Sequence, residues 1–419
     1  MAKTRWRGPV LWLLLAQVML PRAAAAQDPA ADAPPTVAWR TSIKISALAS
    51  RLPRAPELFV DRVGTDTLVR VRTEPTVTIG ARTTVNVAYE QRVRWKSGST
   101  GLAAAAILPS SAAPPFRVVP PLGSISRSSN HVWEHEIDRL NLQMRLSRVD
   151  VTVGRQAIGW GRGVIFGAVD LFAPFSPLEA DREWRRGVDA VHVDVKLTDR
   201  SSIDGVAAVG RRWDESAVAA RARGYAGSVD VEVMAGRRGR DLFGGATTSA
   251  AVGDAAVHGE VAMFAAPSTD AGAGRHAVWK AVAGGSYRFP VGSGVLTYAE
   301  YHYSGFGASE PAQILPLLAT AAFRDRYLRG DTQILARHAI AATGSYEQSA
   351  DLIWSAQWVL NPADRSGVAV PGFTFTLQDD ILLDANAYIP YGRPPAGAQL
   401  RSEYGAAPLA AFLQLRLYF

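Results

Sequence analysis

The sequence predicts an all-β chain. It reads as a single antiparallel up-and-down sheet of about eighteen strands, with sixteen as the alternative, closed into a transmembrane barrel. Three observations carry this expectation. Segments throughout the 419 residues alternate apolar and polar side chains with a period of two. The connections between these segments are alternately long and short. The last ten residues, AAFLQLRLYF, keep the alternation up to Phe419, where a soluble domain usually frays in polar residues.

The N-terminus fits an exported chain. Lys3, Arg5 and Arg7 precede a short apolar run from Val10 to Leu20, and Ala23 to Ala26 offer a small-residue cleavage site. That order is a secretory signal over 1–26, too short for a spanning helix. Residues 27–40, opening QDPAADAPPT, read as a flexible periplasmic leader. The barrel domain is expected over 41–419. Losing the signal removes four cationic residues and lowers the formal charge from +7 to +3, so the high pI does not mark a nucleic-acid binder. No clustered basic helix is present either. Without cysteine there is no disulfide framework and no thiolate metal site. Past the signal, the nearest approach to an apolar helix is Ile314 to Phe323, which Pro316 interrupts, so no helical span is expected.

Strands are predicted at 41–50, 66–79, 83–95, 135–147, 149–157, 187–197, 202–211, 216–225, 228–236, 241–250, 255–265, 276–289, 293–303, 331–344, 351–361, 367–378, 381–390 and 408–419. In one, Leu140, Leu142, Met144 and Leu146 alternate with Arg139, Asn141, Gln143 and Arg145. The segment 241–250 alternates least. The long connections are 51–65, 96–134, 161–186, 266–275, 304–330 and 391–407, and each follows an odd-numbered strand. Connections after even-numbered strands are short, as at Gly253-Asp254. Long loops on one rim and tight turns on the other is the outer-membrane pattern. It makes 96–134, 161–186 and 304–330 long extracellular loops, and an even strand number leaves both termini periplasmic.

Alternation alone would also fit a soluble sandwich. Aromatic placement separates the two. Trp279 and Tyr287 share the apolar face of 276–289. Their spacing corresponds to about 26 Å along a strand, or about 20 Å once tilted, near the apolar band between two aromatic girdles. The terminal strand has no later chain to cover Leu413, Leu415, Leu417 and Phe419. Every backbone group in lipid must be paired, so 408–419 is expected to close on 41–50. Tyr418 and Phe419 resemble the C-terminal signal of bacterial outer-membrane proteins, which implies recognition by the barrel-assembly machinery.

The densest cluster of special residues is 154–189. Gly159, Gly161 and Gly163 invite a phosphate-loop reading, but no Lys-Ser/Thr follows, and Pro174 and Pro177 preclude a long helix behind them. The better candidates are charged: Arg155, Asp181, Arg182, Glu183, Arg185 and Arg186. Folded into a barrel, such a loop narrows it and sets ion preference; alternatively, the charges pair and fasten the loop to the wall. Arg155 shares the parity of Val151 and Val153, so either the strand bulges there or Arg155 stands above the lipid.

Gly154-Arg155-Gln156, Trp160-Gly161, Asp170-Leu171-Phe172, Asp181-Arg182-Glu183 and Gly187-Val188-Asp189-Ala190 occur in an order that resembles outer-membrane porin-like barrels related to the alginate-export type. The resemblance implies a channel with arginines along a path for anionic solutes. It does not imply alginate.

Strand parity gives an independent view of the lumen. The inward basic residues are Lys44, Arg70, Arg72, Arg92, Arg94, Arg139, Arg145, Lys196, Arg221, Arg223, Lys280, Arg288 and Arg416. The inward acids are Glu90, Asp150, Asp194, Asp204, Asp230, Glu232, Glu260, Glu300 and Asp384. The basic excess favours anions through field focusing.

These features predict an outer-membrane, non-enzymatic pore for passive diffusion of small or oligomeric, anionic solutes. Its partners are outer-membrane lipid, the assembly machinery and the solutes, with no nucleic acid and no cofactor. One rival is an outer-membrane hydrolase built on lumen carboxylate–His groups, such as His192 with Asp194 or Glu300 with His302. The other is a plugged barrel with a structural or assembly role.

Overall fold

The computed structural model describes residues 34–98, 100, 106–108, 116–119, 123–267 and 274–419. The expected signal 1–26 lies outside them. The strands are β1 (Thr36–Arg51), β2 (Val63–Ile79), β3 (Thr83–Gly98), β4 (Gly123–Arg127), β5 (His131–Leu146), β6 (Val149–Gln156), β7 (Val188–Thr198), β8 (Ser201–Ala208), β9 (Ala217–Ala226) and β10 (Val229–Arg238). They continue with β11 (Asp241–Val252), β12 (Ala255–Pro267), β13 (Arg275–Phe289), β14 (Val295–Ser304), β15 (His338–Glu347), β16 (Leu352–Asn361), β17 (Ser366–Gln378), β18 (Ile381–Tyr391) and β19 (Leu409–Tyr418). All pairings between them are antiparallel, and eighteen of these strands form the wall.

The wall is closed. β19 pairs with β1 from Ser42↔Tyr418 to Arg51↔Leu409, and Thr41 and Phe419 exchange backbone hydrogen bonds of 3.1 and 2.9 Å. Closure leaves the wall no unpaired edge, as a sheet in hydrocarbon requires. The odd strand out is β4, which the alternation did not reveal. It pairs only with the upper part of β5, above the level where β6 ends.

Two strands, β1 and β15, start away from their expected positions. β1 begins at Thr36, inside the stretch expected as leader. β15 begins at His338 rather than 331. Residues 331–337 instead stay with the preceding loop, where Leu335 and Ala336 donate backbone N–H to Glu403 at 2.8 and 2.9 Å. The poorly alternating segment 241–250 is a full strand, β11, held by ladders on both sides. Its small residues pack in a sheet without showing a pattern.

Connections on the rim carrying both termini run from two to five residues. The opposite rim carries the long loops, including 305–337 with helices α1 (Ile314–Ala319) and α2 (Ala321–Leu328). Among the described residues no helix is long and apolar enough to cross a membrane; the strands do that. Their outer face is apolar, with Ile45, Val71, Leu140, Val233, Val261 and Leu413 exposed. Two aromatic belts bound it. Trp95, Trp133, Trp279, Tyr301, Trp358 and Tyr391 stand near the long-loop rim, and Trp39, Phe289, Trp354 and Phe419 near the short-turn rim. Several belt residues hydrogen-bond across strands, such as Trp358 Nε1 to the Tyr391 hydroxyl at 2.7 Å. Amphipathic rings with one polar atom suit the membrane–water boundary.

One irregularity changes the interior. The ladder between β3 and β5 steps from Ala88↔Arg139 to Tyr89↔Ile137, leaving Asp138 as a bulge. A bulge reverses side-chain parity. Leu140 and Leu142 are exposed beyond it, and Trp133 and Ile137 are exposed before it. Glu134, Glu136 and Asp138 therefore face inward and are buried. Constant parity had placed them outside.

Candidate functional site

The site is the loop 157–187, which crosses the barrel interior. The chain leaves β6 through Gly159, Gly161, Gly163 and Gly167, and its apolar residues Ile158, Trp160, Ile165, Phe166, Val169, Leu171 and Phe172 are all buried. They pack on inward wall residues that are small or apolar in the long-loop half, among them Ala190, Val206, Ala219, Phe264, Val282, Ala341 and Val359. The hydrophobic effect therefore draws the loop inward, and Ile107, Leu108 and Phe116 of the preceding long loop join the same cluster.

Two wall carboxylates hold the first half of the loop. Glu260 of β12 accepts the backbone N–H groups of Arg162, Gly163, Ala168 and Val169, those of Gly163 and Ala168 at 2.7 and 2.6 Å. Glu300 of β14 accepts those of Val164, Ile165 and Phe166 at 2.5, 3.0 and 2.9 Å. A turn-rich loop cannot pair its own amides, and a buried unpaired amide costs about 1–3 kcal/mol. The Gly-x-Gly-x-Gly run thus does bind an anion, but the anion is the protein's own glutamate. Arg162 adds ion pairs to Asp230 and Glu232 of β10 at 2.7 and 2.9 Å.

The second half of the loop lies against the opposite wall. Asp181 bonds Lys44 of β1 at 2.8 Å, Arg70 of β2 at 3.2 Å and Gln414 of β19 at 3.3 Å. Glu183 pairs with Lys44 and accepts from the Tyr418 hydroxyl, both at 2.6 Å. Trp184 carries three cations over its ring: Lys44 at 3.8 Å, Arg70 at 4.8 Å and Arg72 at 4.9 Å. In an eighteen-strand ring, β2 and β12 are nine wall strands apart. They are diametrically opposed, so the loop spans the full width of the lumen.

The expected loop residues sort differently. Arg182 donates to the carbonyls of Val164 and Ile165 at 3.2 and 3.1 Å. Arg185 pairs with Asp170, donates to the Ala173 carbonyl at 2.7 Å and stacks on Phe175. Arg186 lies 3.8 Å from Glu136. Arg155 does not belong with them. The β6 ladders run without a shift through Arg155, which sits opposite Asp189 and pairs with it at 2.7 Å. That pair lies on the Val151 and Val153 face, outside the lumen at the long-loop rim, where Val118 donates its N–H to Asp189.

Most wall arginines are also paired. Arg70 forms a fork with Glu90 at 2.9 and 3.0 Å. Arg72 reaches Asp138 at 2.9 Å, Arg94 reaches Asp66 at 2.6 Å, and Arg221 reaches Asp204 at 2.7 Å. Arg92 pairs with Glu90 and Glu136, Arg139 with Asp138, and Arg223 with Asp194. Lys280 is buried. Arg145 and Arg288 are exposed at the short-turn rim. Asp66, Glu74, Glu134, Glu136 and Asp138 join the inward acids and erode the basic excess expected from parity.

The histidine pairings also change. His192 lies 3.2 Å from Asp204 rather than pairing with Asp194. Glu300 contacts His258 at 3.0 Å, while His302 stacks on Phe166 at 4.9 Å between centroids. The roles of Glu260, Glu300, Trp160 and Trp184 were not legible beforehand, because each depends on a contact between distant segments.

Two spaces flank the loop. One, about 720 Å³, opens toward the short-turn rim, with Arg148, Arg162, Lys196, Arg200 and Arg223 set against Asp194, Asp199 and Asp230. The other, about 460 Å³, lies within the loop.

No protein-family model matches the chain. No curated protein matches it either. Solved structures do. Over 91% of this chain and 98% of its own, Pseudomonas aeruginosa OccK9 (OpdG) superposes with a TM-score of 0.56 at 10% identity. Acinetobacter baumannii OccAB4 gives 0.54 at 8% identity, over 94% of this chain and 100% of its own. Pseudomonas aeruginosa OpdK, solved with vanillate, gives 0.50 at 10% identity over 91% and 98%. At these identities the likeness is one of fold, and the fold is that of a transmembrane β-barrel of the bacterial outer membrane.

Proposed function

We propose that the chain is a porin-like channel for passive diffusion of small solutes, with a preference for anions. One observation carries the reading: a lipid-facing barrel whose polar lumen is crossed, wall to wall, by an anchored loop. That loop narrows the lumen, so its side chains and those facing it act on whatever passes. Support for anions comes from the five basic and three acidic residues lining the space below the loop, and from Arg182, whose terminal nitrogens bond carbonyls rather than carboxylates. A related fold solved with vanillate, a small carboxylate, agrees with this. The alginate-export resemblance stands on motif order alone, since the solved structures named above are Occ and Opd channels.

Tyr418 and Phe419 serve in this reading as the signal for the assembly machinery, with Phe419 exposed next to the seam. Catalysis has no part in it. Glu300 is occupied by loop amides and His258, and His302 by Phe166, so these groups fasten the loop. A closed structural barrel is the second reading, favoured by the apolar packing between loop and wall. Planar-bilayer conductance separates the two. A salt gradient then gives the reversal potential: a value of the sign for anions supports the proposal, and cation selectivity overturns the anion assignment.

A further inference from the structure

A patch of arginines stands on the outer face of the barrel, at the long-loop rim. Arg237 of β10 sits in the ladders between Val218 of β9 and Leu242 of β11, both exposed on the lipid-facing side. The belt residue Trp279 of β13 is in register with Met263 of β12, Gly244 of β11 and Ala235 of β10. Arg237 lies on the same face as Ala235 and one step nearer the rim. Arg275 shares the face of Trp279, also on the rim side of it. Arg240, in the turn between β10 and β11, has a side chain 73% exposed. Arg212 precedes the single 3₁₀ turn Trp213–Glu215 between β8 and β9.

Contacts join these residues into one surface. Arg275 Nη1 donates to the carbonyls of Arg240 and Ala265 at 2.6 and 2.7 Å. Arg240 and Arg212 both reach Asp214, at 3.1 and 3.2 Å. Arg237 lies 4.1 Å over the Trp213 ring and donates to the Trp213 carbonyl at 2.5 Å. The ring itself is 67% exposed.

The patch is short of anions. Among the described residues, these four arginines meet two carboxylates, Asp214 and Glu215. The guanidinium bonds of Arg237 and Arg275 go to carbonyls, which hold a cation in place without cancelling its charge. Guanidinium forks match phosphate oxygens in geometry and charge. Position selects the source. The wall separates this face from any solute in the lumen. A lipid headgroup, by contrast, stands at this height beside the aromatic belt, with its acyl chains along Val218, Leu242 and Trp279. The long-loop rim of an outer-membrane barrel is the extracellular one, so the lipid belongs to the outer leaflet.

We propose that Arg212, Arg237, Arg240 and Arg275 hold the phosphate-bearing headgroup of an outer-leaflet lipid, with Trp213 beside it at the boundary between hydrocarbon and water. The site gives the β9–β13 side of the barrel a resident lipid. It rests on the seat of the barrel in the outer membrane and not on conduction.

The test is a thermophoretic titration of the full-length barrel in non-ionic detergent with bisphosphorylated lipid A and, in parallel, with the same lipid stripped of its phosphates. The bisphosphorylated form binds saturably, and its affinity drops as salt rises. The stripped form binds about tenfold more weakly or less. Arg240→Gln combined with Arg275→Gln weakens the bisphosphorylated form about tenfold. Arg393→Gln combined with Arg401→Gln removes the same charge from exposed positions in the loop between β18 and β19 and leaves binding unchanged. Heat-modifiable gel migration verifies that each variant is folded. If the first combination does not fold, Arg240→Gln alone replaces it, with a weakening of about threefold. Equal binding of the stripped lipid, unchanged binding by the Arg240 and Arg275 variant, or an equal loss in the Arg393 and Arg401 variant overturns the proposal. Displacement of the lipid by an equal concentration of inorganic phosphate assigns the patch to a free anion and overturns it too.

Discussion

Lys44 of β1 and Asp181 of the loop, 137 residues apart in sequence, meet at 2.8 Å with both side chains almost wholly buried. Arg70 joins the same carboxylate, and Trp184 lies beneath both cations. One acid thus bridges two wall cations where the loop rests on β1 and β2, Lys44 being shared with Glu183 and Arg70 with Glu90. Removing one partner of a buried ion pair leaves the other charge uncompensated, at a cost of about 3–5 kcal/mol.

Asp181→Asn follows from this contact. It keeps the shape and removes one negative charge from between Lys44 and Arg70, which retain Glu183 and Glu90, so the reversal potential under a salt gradient moves further toward the anion limit. Thermal unfolding in detergent falls as well. An unchanged reversal potential would place these cations off the conduction path.

Glu260 and Glu300 together accept seven loop amides. Glu300→Gln keeps one acceptor oxygen and loses the charge, so the loop loosens by about 1.5–3 kcal/mol per charge-assisted bond lost. Single-channel traces of Glu300→Gln are expected to be noisier and larger in mean conductance, and trypsin to cut at Arg162 sooner. Traces identical to the parent would show that the loop is held by its apolar packing alone.

Burial raises the Glu179 carboxyl in the loop to about 7 from its ordinary 4.5, against the pull of Arg182 and Arg70 and with Asp181 adding to the rise. The Tyr388 ring stands on the facing wall and bonds the adjacent Leu178 carbonyl. Between pH 4.5 and about 7 the folded chain holds a proton that the unfolded chain has lost, so stability falls as pH rises through that window. Ionisation also adds a negative charge to the loop. Anion preference is therefore expected to decline from pH 6 to pH 8, and Glu179→Gln to flatten the profile; a flat profile in the parent removes this group from the path.

Arg155 pairs with Asp189 on the outer face and not in the lumen. Arg155→Ala should leave the reversal potential unchanged while lowering thermal stability by about 1 kcal/mol, the scale of a partly exposed pair. A shift in ion preference would contradict its placement.

Phe419 exchanges two backbone bonds with Thr41 at the seam, and its ring points outward. Deleting Phe419 removes both bonds and the aromatic end. The fraction of heat-modifiable barrel in the outer membrane is expected to fall several-fold; normal assembly would show that the terminal aromatic is dispensable.

Period-two patterning was enough to place nearly every wall strand, the seam and the face that meets lipid. Those features depend on which side of a strand each residue occupies, and that is a local property of the chain. Long and short connections also lie in sequence order, so the rims were legible. Three things were not. The bulge at Asp138 depends on the ladder to β3, and it alone turned Glu134 and Glu136 inward. The loop's charges could be listed, but only the closed wall brings Lys44, Arg70 and Glu136 to them. Glu260 and Glu300 looked like any other inward acids until the loop's amides arrived from about 100 residues away or more. Which residues meet is a property of ring closure and of a segment folded through its centre, and no local periodicity encodes a contact between chain segments so far apart.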